Sequence, residues 1–124
     1  MEPLGTLNLG VGGDRTQHVL WRMENGTVPP NLQVAIIHCG TNNLSRNTPA
    51  DICRGIAAIA KSILGKKSDA KVIVTGLFPR GSRGLPFPSF TSNINEVNCR
   101  LYVIGAGVWP IGACFFWDMG RVGF

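Results

Sequence analysis

Short, uninterrupted apolar runs alternate with amphipathic stretches along this chain, and that alternation limits the fold more than any other feature. Val34-Ala35-Ile36-Ile37, Val72-Ile73-Val74 and Cys114-Phe115-Phe116-Trp117 are too short for buried helices and carry no charge. Such runs suit strands of a parallel sheet covered on both faces. Between the first two, Ile52, Ile56, Ile59 and Ile63 recur at helical spacing, and Ala60 and Leu64 widen the stripe. One apolar stripe of that width marks a helix laid on a sheet. Thr48 is placed to cap it, with Pro49 at the first helical position and Asp51 in the first turn.

The remaining segments extend the pattern. Leu7-Asn8-Leu9 reads as a short strand ended by glycines. Asp14 with Gln17 three residues later has the capping-box form, and opens a helix to about Glu24 with Val19, Leu20 and Met23 on one face. Asn25-Gly26 supplies its stop, and Pro29-Pro30 bars further helix and extends the chain. A loop rich in Gly, Pro and Ser runs to Ser89, and Ile94, Val97 and Leu101 then give another helix face. Asp118 ends the last strand. The expected order is β-α-β-α-β-α-β: an α/β protein with helices on a parallel sheet, in one domain over residues 1–124.

Composition removes several alternatives. An apolar fraction of 44% with 15% charged residues argues against disorder. The net charge of +5 is dispersed, with no basic stripe and interleaved aromatics, so a nucleic-acid surface is not expected. Cys39, Cys53, Cys99 and Cys114 form no C-x-x-C pair, so neither zinc nor any other metal or cofactor is implied. Reduced thiols fit a cytoplasmic protein. Residues 101–117 carry no charge, but Gly105, Gly107, Pro110 and Gly112 interrupt them, so they read as a helix end, a turn and a strand rather than a membrane span.

In such sheets, ligands bind beyond the carboxyl ends of the strands. Two turns lie there. Gly12-Gly13-Asp14 leads into a helix start, where a backbone N–H points outward at the positive end of the helix dipole. Asn42, in Gly40-Thr41-Asn42-Asn43, offers a side-chain amide. Two such donors on neighbouring loops can stabilise a tetrahedral oxyanion.

The stretch 7–14, with Thr16-Gln17-His18-Val19-Leu20-Trp21-Arg22 and Asn25-Gly26, resembles the second conserved block of the SGNH hydrolases. Within that family it looks like the catalytic subunits of platelet-activating factor acetylhydrolase of the Ib type. Gly40-Thr41-Asn42-Asn43 resembles the third block, Gly76-Leu77-Phe78-Pro79-Arg80-Gly81 the segment after the fourth strand, and Asn95-Glu96-Val97-Asn98 the following helix. The resemblance covers about residues 4–101. It implies serine-dependent hydrolysis of short acyl esters without a cofactor, with Gly13 and Asn42 as oxyanion-hole donors.

The resemblance also shows what these residues lack. The family's nucleophile lies in a Gly-Asp-Ser block before the second strand, and its acid–base pair in an Asp-x-x-His block near the C-terminus. Neither block occurs in the 124 residues. His18 and His38 read as structural, and Gly81-Ser82-Arg83-Gly84 lacks the spacing of a nucleophile elbow. The expectation is therefore a truncated, inactive esterase with an incomplete flavodoxin-like α/β/α sheet. In the family's strand order, 2-1-3-4-5, the missing first strand would leave a gap of roughly 9–10 Å between its neighbours. Those neighbours would close together, or the first would detach. Two further readings stay open. One is a non-catalytic interaction module, since the family's subunits pair with each other and with a WD-repeat protein. The other is the esterase-like domain of a retroelement protein.

Overall fold

A computed structural model describes residues 5–26, 28–80, 90–107 and 114–117. Its elements are α1 (Thr16–Glu24), β1 (Val34–Ile37), a 3-10 turn (Thr41–Asn43), α2 (Pro49–Lys66), β2 (Lys71–Thr75), α3 (Thr91–Gly107) and β3 (Cys114–Trp117). The strands form one parallel sheet in the order β1-β2-β3. Val34 lies opposite Lys71, and Val72 opposite Cys114. Helices packed on a parallel sheet give the expected α/β class.

Helix α2 organises the core. Ile52, Ile56, Ile59 and Ala60 are at most 1% exposed, and Ile63 is buried beside them. Against this stripe lie Val72, Val74 and Leu77 from β2 and its exit, Ile94, Val97 and Leu101 from α3, and Met23 from α1. Thr48 caps α2 as its sequence position requires: its hydroxyl oxygen accepts the Asp51 N–H at 3.2 Å. Helix α1 ends at Asn25, followed by Gly26 at φ +96°.

Four expectations are corrected. Leu7-Asn8-Leu9 is irregular and mostly exposed, not a strand, so the order begins with α1. A strand needs a ladder partner, and the Leu9 carbonyl instead accepts from Arg22 Nη1 at 2.7 Å. The cap of α1 is Arg15, not Asp14. The Asp14 carboxylate turns instead to the Arg22 guanidinium, and the Arg15 N–H donates to His18 Nδ1 at 3.1 Å.

The β1 strand is not covered on both faces. Ile37 is buried, but Val34 is 50% and Ile36 68% exposed. Pro29-Pro30 does not extend the chain either. It opens a turn closed by the Leu32 N–H on the Pro29 carbonyl at 3.2 Å. The loop through residues 81–89, including Gly81-Ser82-Arg83-Gly84, lies outside the described residues, as do residues 108–113 and Asp118. Among the described residues, no helix is long and apolar enough to cross a membrane.

Candidate functional site

The two turns singled out in the sequence meet at the carboxyl end of β1. The first is closed by the Asp14 N–H on the Val11 carbonyl at 3.2 Å. Gly13, its third residue, sits at φ +84°. That angle belongs to the region glycine enters without steric cost. Nothing stands within 4 Å of where a Cβ would be, so the Gly13 peptide is open to an approaching group. No hydrogen bond to its N–H forms among the described residues.

The second turn begins at Gly40, φ +110°, where a Cβ would meet Ile52 Cγ2 at 2.8 Å. Close approach of the backbone to α2 at this point swings residues 41–43 towards α1. The Asn42 side-chain amide then donates to the Asp14 carbonyl at 2.9 Å. Asn42 therefore touches the Asp14–Arg15 peptide, two peptide units beyond the one that carries the Gly13 N–H. An amide nitrogen carries two hydrogens, so one donor position remains beyond this bond.

Two groups brace the turns. Arg22 holds both the Leu9 carbonyl and the Asp14 carboxylate, tying the first loop to α1. Arg80 Nη1 donates to the Thr41 carbonyl at 3.0 Å and faces Thr41 Oγ1 at 3.3 Å. Arg80 follows Leu77, whose N–H and carbonyl both pair with the Asn98 side-chain amide of α3, at 2.8 and 3.2 Å. Thr41, Asn42, Ser45, Arg80 and Phe90 line a cleft of about 160 Å³.

Among the described residues, the titratable groups nearby hold structural contacts or are protonated. Burial, and then the charge of Asp14, push the Cys39 thiol up to about 12. It is protonated at neutral pH, and only the thiolate attacks. His38 Nδ1 lies 2.5 Å from Thr75 Oγ1. That hydroxyl donates on to the Ile37 carbonyl at 3.3 Å, so Nδ1 is the donor in the His38 contact. The His38 ring stacks at a tilt on Phe78, 4.9 Å between centroids, and desolvation there lowers its pKa. His18 is occupied at the start of α1. Both histidines thus hold structural contacts.

The buried partner of Asn42 escaped the sequence reading. Asn43 is 2% exposed and bonded to Thr16, Gln17 and Asn47. Its signal was an Asn-Asn pair in a turn flanked by apolar residues, which does not reveal which of the two turns inward.

The chain matches the GDSL-like lipase/acylhydrolase family over residues 3–102, and it belongs to that family. More narrowly, it is similar to platelet-activating factor acetylhydrolase IB subunit alpha2 of Homo sapiens, with 41% identity over 97 residues, covering 77% of this chain and 42% of that protein. Subunit alpha1 of Mus musculus is 41% identical over 96 residues, covering 77% and 41% respectively. The chain spans less than half the length of these curated relatives.

Proposed function

We propose that these 124 residues carry the oxyanion-binding half of a serine-dependent hydrolase of short acyl esters. Gly13 supplies the backbone donor and Asn42 the side-chain donor. The observation that carries the reading is the 2.9 Å bond from Asn42 to the Asp14 carbonyl, which holds the two donor-bearing turns side by side. The similarity to acetylhydrolase subunits supports an acetyl-sized acyl group.

The same proposal treats residues 1–124 as one partial domain that does not turn over ester alone. Serine and histidine of a triad act as a unit, so loss of either removes nearly all covalent catalysis. By analogy with a dismantled triad, an oxyanion hole and binding alone retain only about 10³–10⁴-fold over water. The test is hydrolysis of p-nitrophenyl acetate by the 124-residue chain. The expected rate is indistinguishable from buffer. Turnover well above buffer would reveal a nucleophile elsewhere and overturn the reading.

The bare β1 residues Val34 and Ile36 favour a second reading, a non-catalytic interaction module. It accords with the "subunit" in the relatives' names. Pairing with a related subunit, or with a WD-repeat protein, would show as stable co-purification without hydrolysis. Cytoplasmic residence belongs to the same proposal, supported by free thiols at Cys39, Cys53 and Cys99.

A further inference from the structure

Asn43 uses both ends of its side-chain amide. Its Oδ1 accepts the Thr16 N–H at 3.0 Å. Its Nδ2 faces Thr16 Oγ1 at 3.2 Å, Gln17 Oε1 at 3.1 Å and Asn47 Oδ1 at 3.0 Å. Two hydrogens are shared among three acceptors. Thr16 and Gln17 open α1, whereas Asn43 and Asn47 flank the exit of the 3-10 turn. One buried side chain therefore joins two loops that no ladder joins, because residues 7–15 belong to no strand.

The placement bears directly on the donors. Thr16 follows Gly13 by one short segment, and Asn42 is the chain neighbour of Asn43. Their backbones cannot move apart without breaking the Asn43 bonds. Exposed polar pairs would yield to water, but the Asn43–Thr16 bonds are buried, where water cannot replace them. The sheet leaves the separation of Gly13 and Asn42 undetermined; the Asn43 bonds to Thr16 fix it together with the Asn42 bond to the Asp14 carbonyl.

We infer that Asn43 is the positioning residue of this site, holding the turn that carries Asn42 against the start of α1 that follows Gly13. This rests on the reading of Gly13 and Asn42 as oxyanion donors. Asn43 touches no substrate. It acts through Thr16 and through its chain neighbour Asn42.

The experiment uses the ¹⁵N-labelled 124-residue chain titrated with inorganic phosphate, a tetrahedral anion. The Gly13 backbone amide and the Asn42 side-chain amide are followed together. In the wild type both signals are expected to move on one saturation curve. Asn43→Ala is expected to weaken that curve about tenfold or to uncouple the two signals. Asn43→Asp is expected to restore it, because a carboxylate keeps the acceptor for Thr16 while the Gln17 and Asn47 amides can turn their NH₂ groups towards it.

A folded Asn43→Ala chain with wild-type affinity and coupled signals would overturn the inference. If Asn43→Ala does not fold, the Gln17→Ala/Asn47→Ala double variant is read the same way. Weakened or uncoupled binding supports positioning, and unchanged binding overturns it. A wild-type chain with no phosphate response at either signal contradicts the oxyanion reading instead. Positioning is then judged by the Gly13 amide shift alone, which must differ between wild type and variant.

Discussion

Thr16 is bonded to Asn43 twice, through its N–H to Oδ1 at 3.0 Å and through its hydroxyl oxygen from Nδ2 at 3.2 Å. Both residues are buried, at 5% and 2% exposure. The first helical N–H of α1 therefore finds its acceptor on a loop 27 residues away rather than on its own cap.

Thr16→Val tests this pairing. The valine keeps the shape and the N–H but removes the hydroxyl, leaving Asn43 Nδ2 with only Gln17 and Asn47. A loss of about 0.5–1.5 kcal/mol is expected, the net worth of one hydrogen bond, since the two Nδ2 hydrogens keep two acceptors. Denaturant unfolding of the two chains measures it.

Gly55 and Gly65, both in α2, separate packing from propensity. A Cβ on Gly55 would meet Thr16 Oγ1 at 2.6 Å and Thr16 Cβ at 2.7 Å, whereas one on Gly65 meets nothing within 4 Å. Alanine gains about 1 kcal/mol over glycine in a helix interior and less in the last turn, where Gly65 sits. Overpacking costs about 1–3 kcal/mol and governs only the first site. Gly65→Ala should raise the melting temperature and Gly55→Ala should lower it.

The helical and capping features were legible because they are local. The isoleucine stripe of α2, the Thr48 cap and the Ile94, Val97, Leu101 face each depend on neighbours within a few turns. Leu7-Asn8-Leu9 and the bare side of β1 were not legible, since pairing and cover depend on what stands alongside. Asp14 looked like a cap because a nearby acceptor is the usual solution; Arg22, eight residues on, draws its carboxylate away. Gly13 and Asn42 were read as donors through family resemblance rather than composition. The Asn43 network required three-dimensional placement, because its bonds to α1 span 26 and 27 residues.

Thiol reactivity should follow burial. Cys39 and Cys53 are pushed up to about 12 and about 11, chiefly by desolvation, while Cys99 is exposed. Iodoacetamide on the native chain at about pH 8 should label Cys99 and spare Cys39 and Cys53, because alkylation requires an accessible thiolate. Peptide mapping by mass spectrometry reads the pattern. Rapid labelling of Cys39 would contradict the packing at the end of β1.

His38 gives the fold a pH dependence of known sign. Desolvation against Phe78 and Thr75 lowers its folded pKa below 6.5, so the unfolded chain binds the proton more readily. Its contribution is complete above 6.5 and is lost as pH falls through the folded value. The melting temperature should decline as pH falls below 6.5, and His38→Gln should flatten that decline. An equal slope in the variant would assign the dependence to other groups.

The central claim is that Gly13 and Asn42 form one oxyanion-binding pair. Phosphate titration of the wild-type chain against Asn42→Ala, read at the Gly13 backbone amide, tests it most directly. The account predicts a saturable Gly13 shift in the wild type, matched at the Asn42 side chain, and its loss in the variant. A Gly13 amide that ignores phosphate, or that responds equally without the Asn42 side chain, would contradict it.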